Sequence, residues 1–181
     1  MRFLILLCLY IVFVLQSCSV KYSLTGASIS PETTSFQVNY FQNNAPLIEP
    51  GIERDFTNKL IDLLINQTSL ELVKSNGDLV YEGEIVEYRI SPTTATADNR
   101  AAQNRLTVAV NIRFYDIKDP DADFEKRFSF YYDYAGNVQL IGSQRDTALD
   151  EIFERITQDV FNASLACLLY TSPSPRDFTE S

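Results

Sequence analysis

The sequence contains no histidine and no tryptophan, and its 181 residues include only three cysteines and six glycines. A chain without histidine has no Ser-His-Asp triad, no histidine-based acid–base pair and no ordinary zinc site. A glycine-rich loop of the kind that cradles phosphate groups is also missing from the sequence. These absences disfavour an enzyme, and we predict no catalytic residues, no metal ion and no cofactor.

Positive charge is scarce as well. The chain has 15 lysine and arginine residues against 24 aspartate and glutamate residues, which gives a formal net charge of −9. Proteins that bind nucleic acids need a basic face, so we expect no nucleic acid partner. Attraction to anionic lipid by charge alone is equally unfavourable for so acidic a chain, and any membrane attachment needs another cause.

A long apolar run follows Met1-Arg2 and extends from Phe3 to Leu15. It has about 13 residues, whereas a helix that crosses a bilayer needs roughly 20. A positive residue, a short apolar core and then a small residue are typical of an export signal. The run ends in Leu15-Gln16-Ser17-Cys18, which resembles a bacterial lipobox, the signal in which the cysteine is acylated and becomes the new N-terminus.

We therefore predict a signal peptide at residues 1–17, cleavage between Ser17 and Cys18, and lipid attachment at Cys18. Several acyl chains on one residue hold a protein on a membrane far better than a single chain does. Two alternatives remain: an ordinary signal peptide with a chance cysteine, and a short uncleaved anchor. Cys8 is removed with the signal, so only Cys167 stays free and no internal disulfide is expected in the mature chain.

Periodic hydrophobicity then organises the chain. Stretch 78–91 alternates apolar and polar residues but changes phase after Ile85, which predicts a long bent strand with a bulge. Apolar residues recur at helical spacing over 50–66 and again from about Ser143, where Asp146 completes the spacing of a capping box. Further strands are predicted over 36–41, 106–114 and 124–134, a short extended piece over 70–73, and a polar loop over 92–104.

This order of elements predicts an α+β fold. We expect a two-layer sandwich in which two amphipathic helices pack on one face of a roughly four-stranded mixed or antiparallel sheet. The domain is expected to span 34–165, after a polar, lipidated N-terminus and tether at 18–33. Residues 166–181 show no period and contain two prolines; they resemble translated adapter sequence and predict a non-native end, the alternative being a disordered tail.

Several short segments in a fixed order resemble one known family. They are Ser23–Glu32, the strand at 36–41, Asn44–Leu47, Gly77–Ile85 with its Tyr-Glu-Gly-Glu-Ile sequence, and Ala102–Val108. Together, over about residues 18–165, they resemble the LptE family of lipopolysaccharide-assembly lipoproteins in the form found in Bacteroidetes.

The resemblance implies a location and a function. It implies an α/β sandwich anchored by lipid to the outer membrane and facing the periplasm. It also implies a 1:1 complex in which the protein plugs the LptD-type β-barrel, helps it to assemble and takes part in lipopolysaccharide transport to the outer leaflet. The alternative is an envelope lipoprotein that acts as a pilotin-like adaptor or scaffold for another outer-membrane complex. An envelope hydrolase is disfavoured by the missing histidine.

Three arginines are candidate contacts for the anionic groups of lipopolysaccharide. Arg105 and Arg113 have the same strand parity, and Arg127 lies on the neighbouring predicted strand. Arginine binds phosphate and carboxylate groups through paired hydrogen bonds. The alternative is that these arginines balance the carboxylates Glu82, Glu84 and Glu125 on an exposed sheet face. Tyr115 and Tyr131 are predicted to face outward, where they are suited to contact a partner.

Overall fold

The computed structural model describes residues 29–30, 32–93 and 103–165. The predicted signal peptide with Ser17 and Cys18, most of the predicted tether, the middle of the predicted loop at 92–104, and the predicted tail at 166–181 lie outside the described residues. Within the described residues, no helix is both long and apolar enough to cross a membrane.

The described chain folds into one sheet and two helices. The strands are β1 (Ser35–Val38), β2 (Gln42–Asn43), β3 (Glu71–Leu72), β4 (Leu79–Thr93), β5 (Gln103–Asp116) and β6 (Phe124–Ala135), and the helices are α1 (Ile52–Gln67) and α2 (Gly142–Ser164).

The sheet is mixed. Its strand order is β3-β1-β4-β5-β6, and β2 also pairs with β4, beyond the end of β1. β1 and β2 run parallel to β4, whereas β4, β5 and β6 form an antiparallel meander. The predicted α+β class is confirmed. The predicted count of about four strands is low, because β2 and β3 have two residues each and leave no recognisable period in the sequence.

The phase change in β4 is a β-bulge. The pairing of β4 with β5 shifts between Ile85 and Glu87, so that Val86 is the extra residue. Before the bulge, Tyr81 and Ile85 are buried on the helix-covered face; after it, Tyr88 takes that role. The bulge therefore keeps apolar side chains on one face of a 15-residue strand whose alternation is interrupted.

The core lies between the sheet and the helices. α1 contributes Phe56, which is fully buried, with its ring 5.0 Å from that of Phe41 and 5.4 Å from that of Phe153 on α2. Lys59 and Asp150 also join the two helices through an ion pair of 2.5 Å. β5 contributes a continuous buried row: Leu106, Val108, Val110, Ile112 and Phe114.

The capping box predicted at Ser143 and Asp146 is wrong. α2 begins at Gly142, so Ser143 already lies in the first turn, and no side chain caps the helix. The carboxylate of Asp146 instead pairs with the guanidinium of Arg145, at 2.8 Å.

Asp78 fastens β1 to the start of β4. Its Oδ2 accepts hydrogen bonds from the backbone N–H groups of Thr34 and Ser35, at 2.8 and 3.0 Å, and from both of their hydroxyl groups. Lys118 lies 3.3 Å from its other oxygen. The hydrogen bond from the Thr34 backbone is the largest cause that lowers the pKa of this carboxyl group well below its usual range.

Candidate functional site

One face of the sheet is not covered by the helices, and we refer to it as the open face. Its side chains alternate with the buried ones along β4, β5 and β6. The structure brings all three sequence-predicted arginines to this face: Arg105 and Arg113 from β5, and Arg127 from β6. The parity argument is therefore confirmed for their orientation, while contact with a ligand stays a prediction.

Arg105 is held by a two-pronged ion pair. Its Nε donates to Oδ1 of Asp133 on β6 at 2.7 Å, and a second nitrogen donates to Oδ2 at 2.8 Å. The guanidinium also lies over the ring of Tyr131, 3.6 Å from its centre, where a cation is attracted to the π-electrons. The hydrogen bond from Arg105 is the main reason why the pKa of Asp133 is lowered.

Arg113 lies on the same face as Arg105 but bonds to the neighbouring strand on the other side of β5, which is β4. Its Nε donates to Oε1 of Glu82 at 3.0 Å, across directly paired residues. Asn39 donates to the other oxygen of the same carboxylate at 3.0 Å. These bonds, with that from Arg113 the largest, lower the pKa of Glu82.

Glu87 is shared by two arginines. Arg89 donates to its Oε1 at 2.7 Å, and Arg127 bonds to its Oε2. More than half of the Arg89 and Arg127 side chains remains exposed, at 58% and 54%, whereas the Glu87 side chain is only 20% exposed. The shared carboxylate leaves one negative charge between two positive ones, so this part of the open face is locally cationic.

A partly apolar groove lies next to this cluster, where β4 passes the loop between β2 and α1. Leu47 and Ile90 are 53% and 43% exposed there and give the groove its apolar surface. The groove has a volume of about 440 Å³. We call it the bulge groove; its lining residues are Pro46, Leu47, Val86, Glu87, Tyr88, Arg89, Ile90 and Arg127.

The ion pairs differ in part from those expected. Arg113 pairs with Glu82 as the balancing alternative predicted, but Arg105 and Arg127 use Asp133 and Glu87. Glu84 instead accepts a hydrogen bond from Asn44, at 2.6 Å.

Sequence reasoning missed Arg89 and Glu87. The signal for them was present, because a one-residue bulge after Ile85 moves odd-numbered residues onto the face that Glu82 and Glu84 occupied before it. Tyr115 and Tyr131, predicted to face outward, are exposed on the open face at 38% and 45%. In the part of the chain that the structure describes, no group of three or more acidic, histidine or cysteine side chains is arranged to hold a metal ion.

Solved structures that are similar to this chain come from several bacteria. The hypothetical protein CT253 from Chlamydia trachomatis is 11% identical with a TM-score of 0.50, over 73% of this chain and 98% of the other. A minor lipoprotein from Acinetobacter baumannii is 11% identical with a TM-score of 0.45, over 73% and 90%. Lipoprotein GNA1162 from Neisseria meningitidis is 12% identical with a TM-score of 0.40, over 71% and 99%. At this identity, the likeness to CT253 supports the fold alone.

Sequence comparisons give a more specific result. Among curated proteins, none shows a significant match to the chain. The family model LptE, described as lipopolysaccharide-assembly, matches residues 33–164, which include every helix and strand described above. The match confirms the predicted family, although not its Bacteroidetes form, and the chain belongs to the LptE family of non-enzymatic lipopolysaccharide-assembly proteins.

Proposed function

We propose that this protein is an outer-membrane lipoprotein that forms a 1:1 complex with an LptD-type β-barrel. In this role it is anchored through lipid on Cys18, faces the periplasm, plugs the barrel and helps it to assemble. The complex takes part in transport of lipopolysaccharide to the outer leaflet. The observation that carries the proposal is the family match over residues 33–164, preceded by the lipobox at Leu15–Cys18.

The exposed surface of the domain is compatible with this role. The described fold is a single sandwich with a buried core and an open face of paired charges. An exposed sheet face with aromatic side chains such as Tyr115 and Tyr131 is suited to contact the wall of a partner.

The first experiment is a pull-down in mild detergent. The bait is the full chain with Cys18 intact and an affinity tag at its end, and the bound proteins are identified by mass spectrometry. We expect a large outer-membrane β-barrel at a near 1:1 ratio. Recovery of a different outer-membrane complex would contradict the barrel proposal and favour a pilotin-like adaptor. Recovery of no partner would contradict both the barrel complex and the adaptor.

We further propose that the bulge groove binds the lipid and anionic parts of lipopolysaccharide. Apolar side chains such as Ile90 suit an acyl chain, and the two arginines on Glu87 suit a phosphate. An incoming anion can bind the exposed guanidinium groups of Arg89 and Arg127 while Glu87 keeps its bonds to both arginines. Arg105 and Arg113 are less exposed, at 36% and 32%, and Arg105 is bonded through two nitrogens, so we assign these two arginines a weaker part in the same contact.

This assignment is tested by binding of the full chain to purified lipopolysaccharide. We expect Arg89→Gln/Arg127→Gln to bind at least about tenfold more weakly, since a hydrogen bond to a charged group contributes roughly 1.5–3 kcal/mol. Arg54→Gln is the matched control, because Arg54 is an exposed arginine on α1. Equal affinity of the double variant and the control would contradict the groove while leaving the barrel complex untouched. The affinities of Arg105→Gln and Arg113→Gln for lipopolysaccharide measure how much each of these two arginines contributes to binding.

A further inference from the structure

β6 is an open edge of the sheet. It pairs with β5 on one side, and no described strand pairs with it on the other. At 12 residues it is long for an edge strand. Its first half carries the consecutive charges Glu125, Lys126 and Arg127, which discourage pairing with another chain, but its second half consists mainly of aromatic residues.

The direction of the backbone groups on β6 follows from the sheet. Tyr81 and Ile85 of β4 accept hydrogen bonds from Asn39 and Asn44, so their backbones point away from β5. In an antiparallel ladder the pointing alternates with every residue. The even-numbered residues of β4 before the bulge therefore point toward β5, where they pair with odd-numbered residues. The even-numbered residues of β5 then point toward β6, and their partners there are also even-numbered, so the even-numbered backbone groups of β6 point toward β5.

The outward backbone groups therefore belong to the odd-numbered residues of β6. These are Glu125, Arg127, Ser129, Tyr131 and Asp133. Among the described residues, none of these five has a backbone hydrogen bond on the outward side. The row can add a further strand without breaking a backbone hydrogen bond of the described residues.

We propose that this edge pairs with β6 of a second copy of the chain, antiparallel and centred on Phe130. With the two-fold axis at Phe130, the side chains of one copy of β6 are complementary to those of the other copy. Arg127 faces Asp133 of the other copy, and Ser129 faces Tyr131, each contact occurring twice through the two-fold axis. These are the outward-pointing residues, so each such pair exchanges backbone hydrogen bonds.

The even-numbered residues of β6, whose backbone groups point toward β5, also have side chains that suit one another across the two copies. Phe130 meets its own copy, and Phe128 meets Tyr132, so aromatic side chains pack across the new ladder. Lys126 meets Tyr134, a favourable contact of a cation with an aromatic ring. The pairing joins the two sheets into one continuous sheet, with the helices of both copies on the same face.

Neighbouring registers are less favourable. Centring on Ser129 places Glu125 opposite Asp133, and like charges directly opposite are destabilising. Centring on Tyr131 places Arg127 opposite Ala135 and shortens the overlap. Charge and length of overlap together select the register centred on Phe130, in which the contacts of Arg127 and Asp133 between copies add to their bonds with Glu87 and Arg105 within each copy. The proposal goes beyond the barrel complex, because it concerns the free lipoprotein before it meets its partner.

Sedimentation equilibrium of the full lipidated chain, in density-matched detergent, tests the pairing. We expect the wild type to sediment at twice the mass of one chain and Ser129→Pro to sediment as a monomer. Proline at residue 129 removes an N–H that has no partner in the monomer, and edge strands tolerate it there. Ser129→Thr is the matched control and is expected to remain a dimer. A monomeric wild type, or a Ser129→Pro variant that stays dimeric, overturns the proposal.

A second measurement tests the register in cell envelopes. In a Cys167→Ser background, Phe130→Cys brings two thiols together across the two-fold axis, because such directly opposed residues have Cα atoms about 4.5 Å apart, within disulfide range. Oxidation is expected to give a covalent dimer for this variant and none for Tyr115→Cys, an exposed position on β5. Equal cross-linking of both, or none with Phe130→Cys, contradicts the register.

Discussion

The backbones of β4 and β5 come so close together at Gly83 that a side chain does not fit. A Cβ atom on this residue would lie 2.0 Å from the carbonyl oxygen of Asn111 and 2.8 Å from the ring of Phe41. Since neither the sheet backbone nor a buried ring moves freely, any larger residue must displace the strand.

We expect Gly83→Ala to lower the free energy of unfolding by about 1–3 kcal/mol, the usual cost of forcing atoms into a packed core. The measurement is urea unfolding at neutral pH. Ser129→Ala, on the exposed side of β6, is the control and is expected to change stability by less than about 0.5 kcal/mol. A Gly83→Ala variant as stable as the control would contradict the close approach.

Asp78 is expected to make stability depend on pH. Its pKa in the folded state is lowered, chiefly by the Thr34 backbone N–H, whereas the unfolded value is about 3.9. A lowered carboxyl pKa contributes stability above the unfolded pKa and loses it as the pH falls toward the folded one. The contribution of Asp78 is therefore complete at neutral pH and declines below about pH 4.

Accordingly, Asp78→Asn should be less stable than the wild type at pH 7, and the gap between their free energies of unfolding should narrow at pH 3. Urea titrations at the two pH values measure this difference. Asp121→Asn, an exposed residue of the turn before β6, is expected to show no gap at either pH. A gap for Asp78→Asn that widens in acid would have the wrong sign for this explanation.

At the scale of elements, α1 is held mainly by one inward row of side chains. Phe56 is its most central member, because it contacts an aromatic ring from the β1–β2 connection and another from α2. We expect Phe56→Ala to cost about 3–5 kcal/mol of unfolding free energy, as for other large aromatic truncations in cores. Ile65→Ala, on the same helix but 48% exposed, should cost far less. Denaturant unfolding distinguishes them, and equal losses would contradict this packing.

Long elements were predictable from the sequence because they repeat a period over many residues. The apolar stripe of α1 and the alternation of β5 each extend over several turns or pairs, so their types and their shared face follow from the spacing alone. β2 was not predictable in this way, and β3 was predicted only as a short extended piece over 70–73. Each exists through a few backbone bonds to a neighbouring strand, and that neighbour is set by the tertiary fold.

The open face shows the same division. Strand parity was enough to place Arg105, Arg113 and Arg127 together, but their partners depend on register between strands. The pairing of β5 with β6 puts Asp133 opposite Arg105, and the bulge brings Glu87 within reach of Arg127. Neither register follows from the spacing of one strand, so the pairs Arg105–Asp133 and Arg127–Glu87 were missed, although the shared face of the arginines was predicted.

At the scale of the whole molecule, we predict that attachment to a membrane depends on Cys18. We expect Cys18→Ala to lose incorporation of labelled palmitate and to move from the membrane fraction to the soluble periplasmic fraction. Cys167→Ser is the matched control and should keep both the label and the membrane fraction. Membrane retention of unlabelled Cys18→Ala would favour the short uncleaved anchor instead.

The path of the chain through the sheet also sets an order for its folding. β4, β5 and β6 are successive neighbours, whereas β1 reaches β4 only after α1 and β3 have intervened, pairing Phe36 with Leu79. Contacts between distant parts of a chain form more slowly, because closing a longer loop costs more conformational entropy. We therefore expect the meander to form first and β1 to dock last. For a chain anchored at Cys18, folding then begins at the end remote from the membrane and finishes beside it.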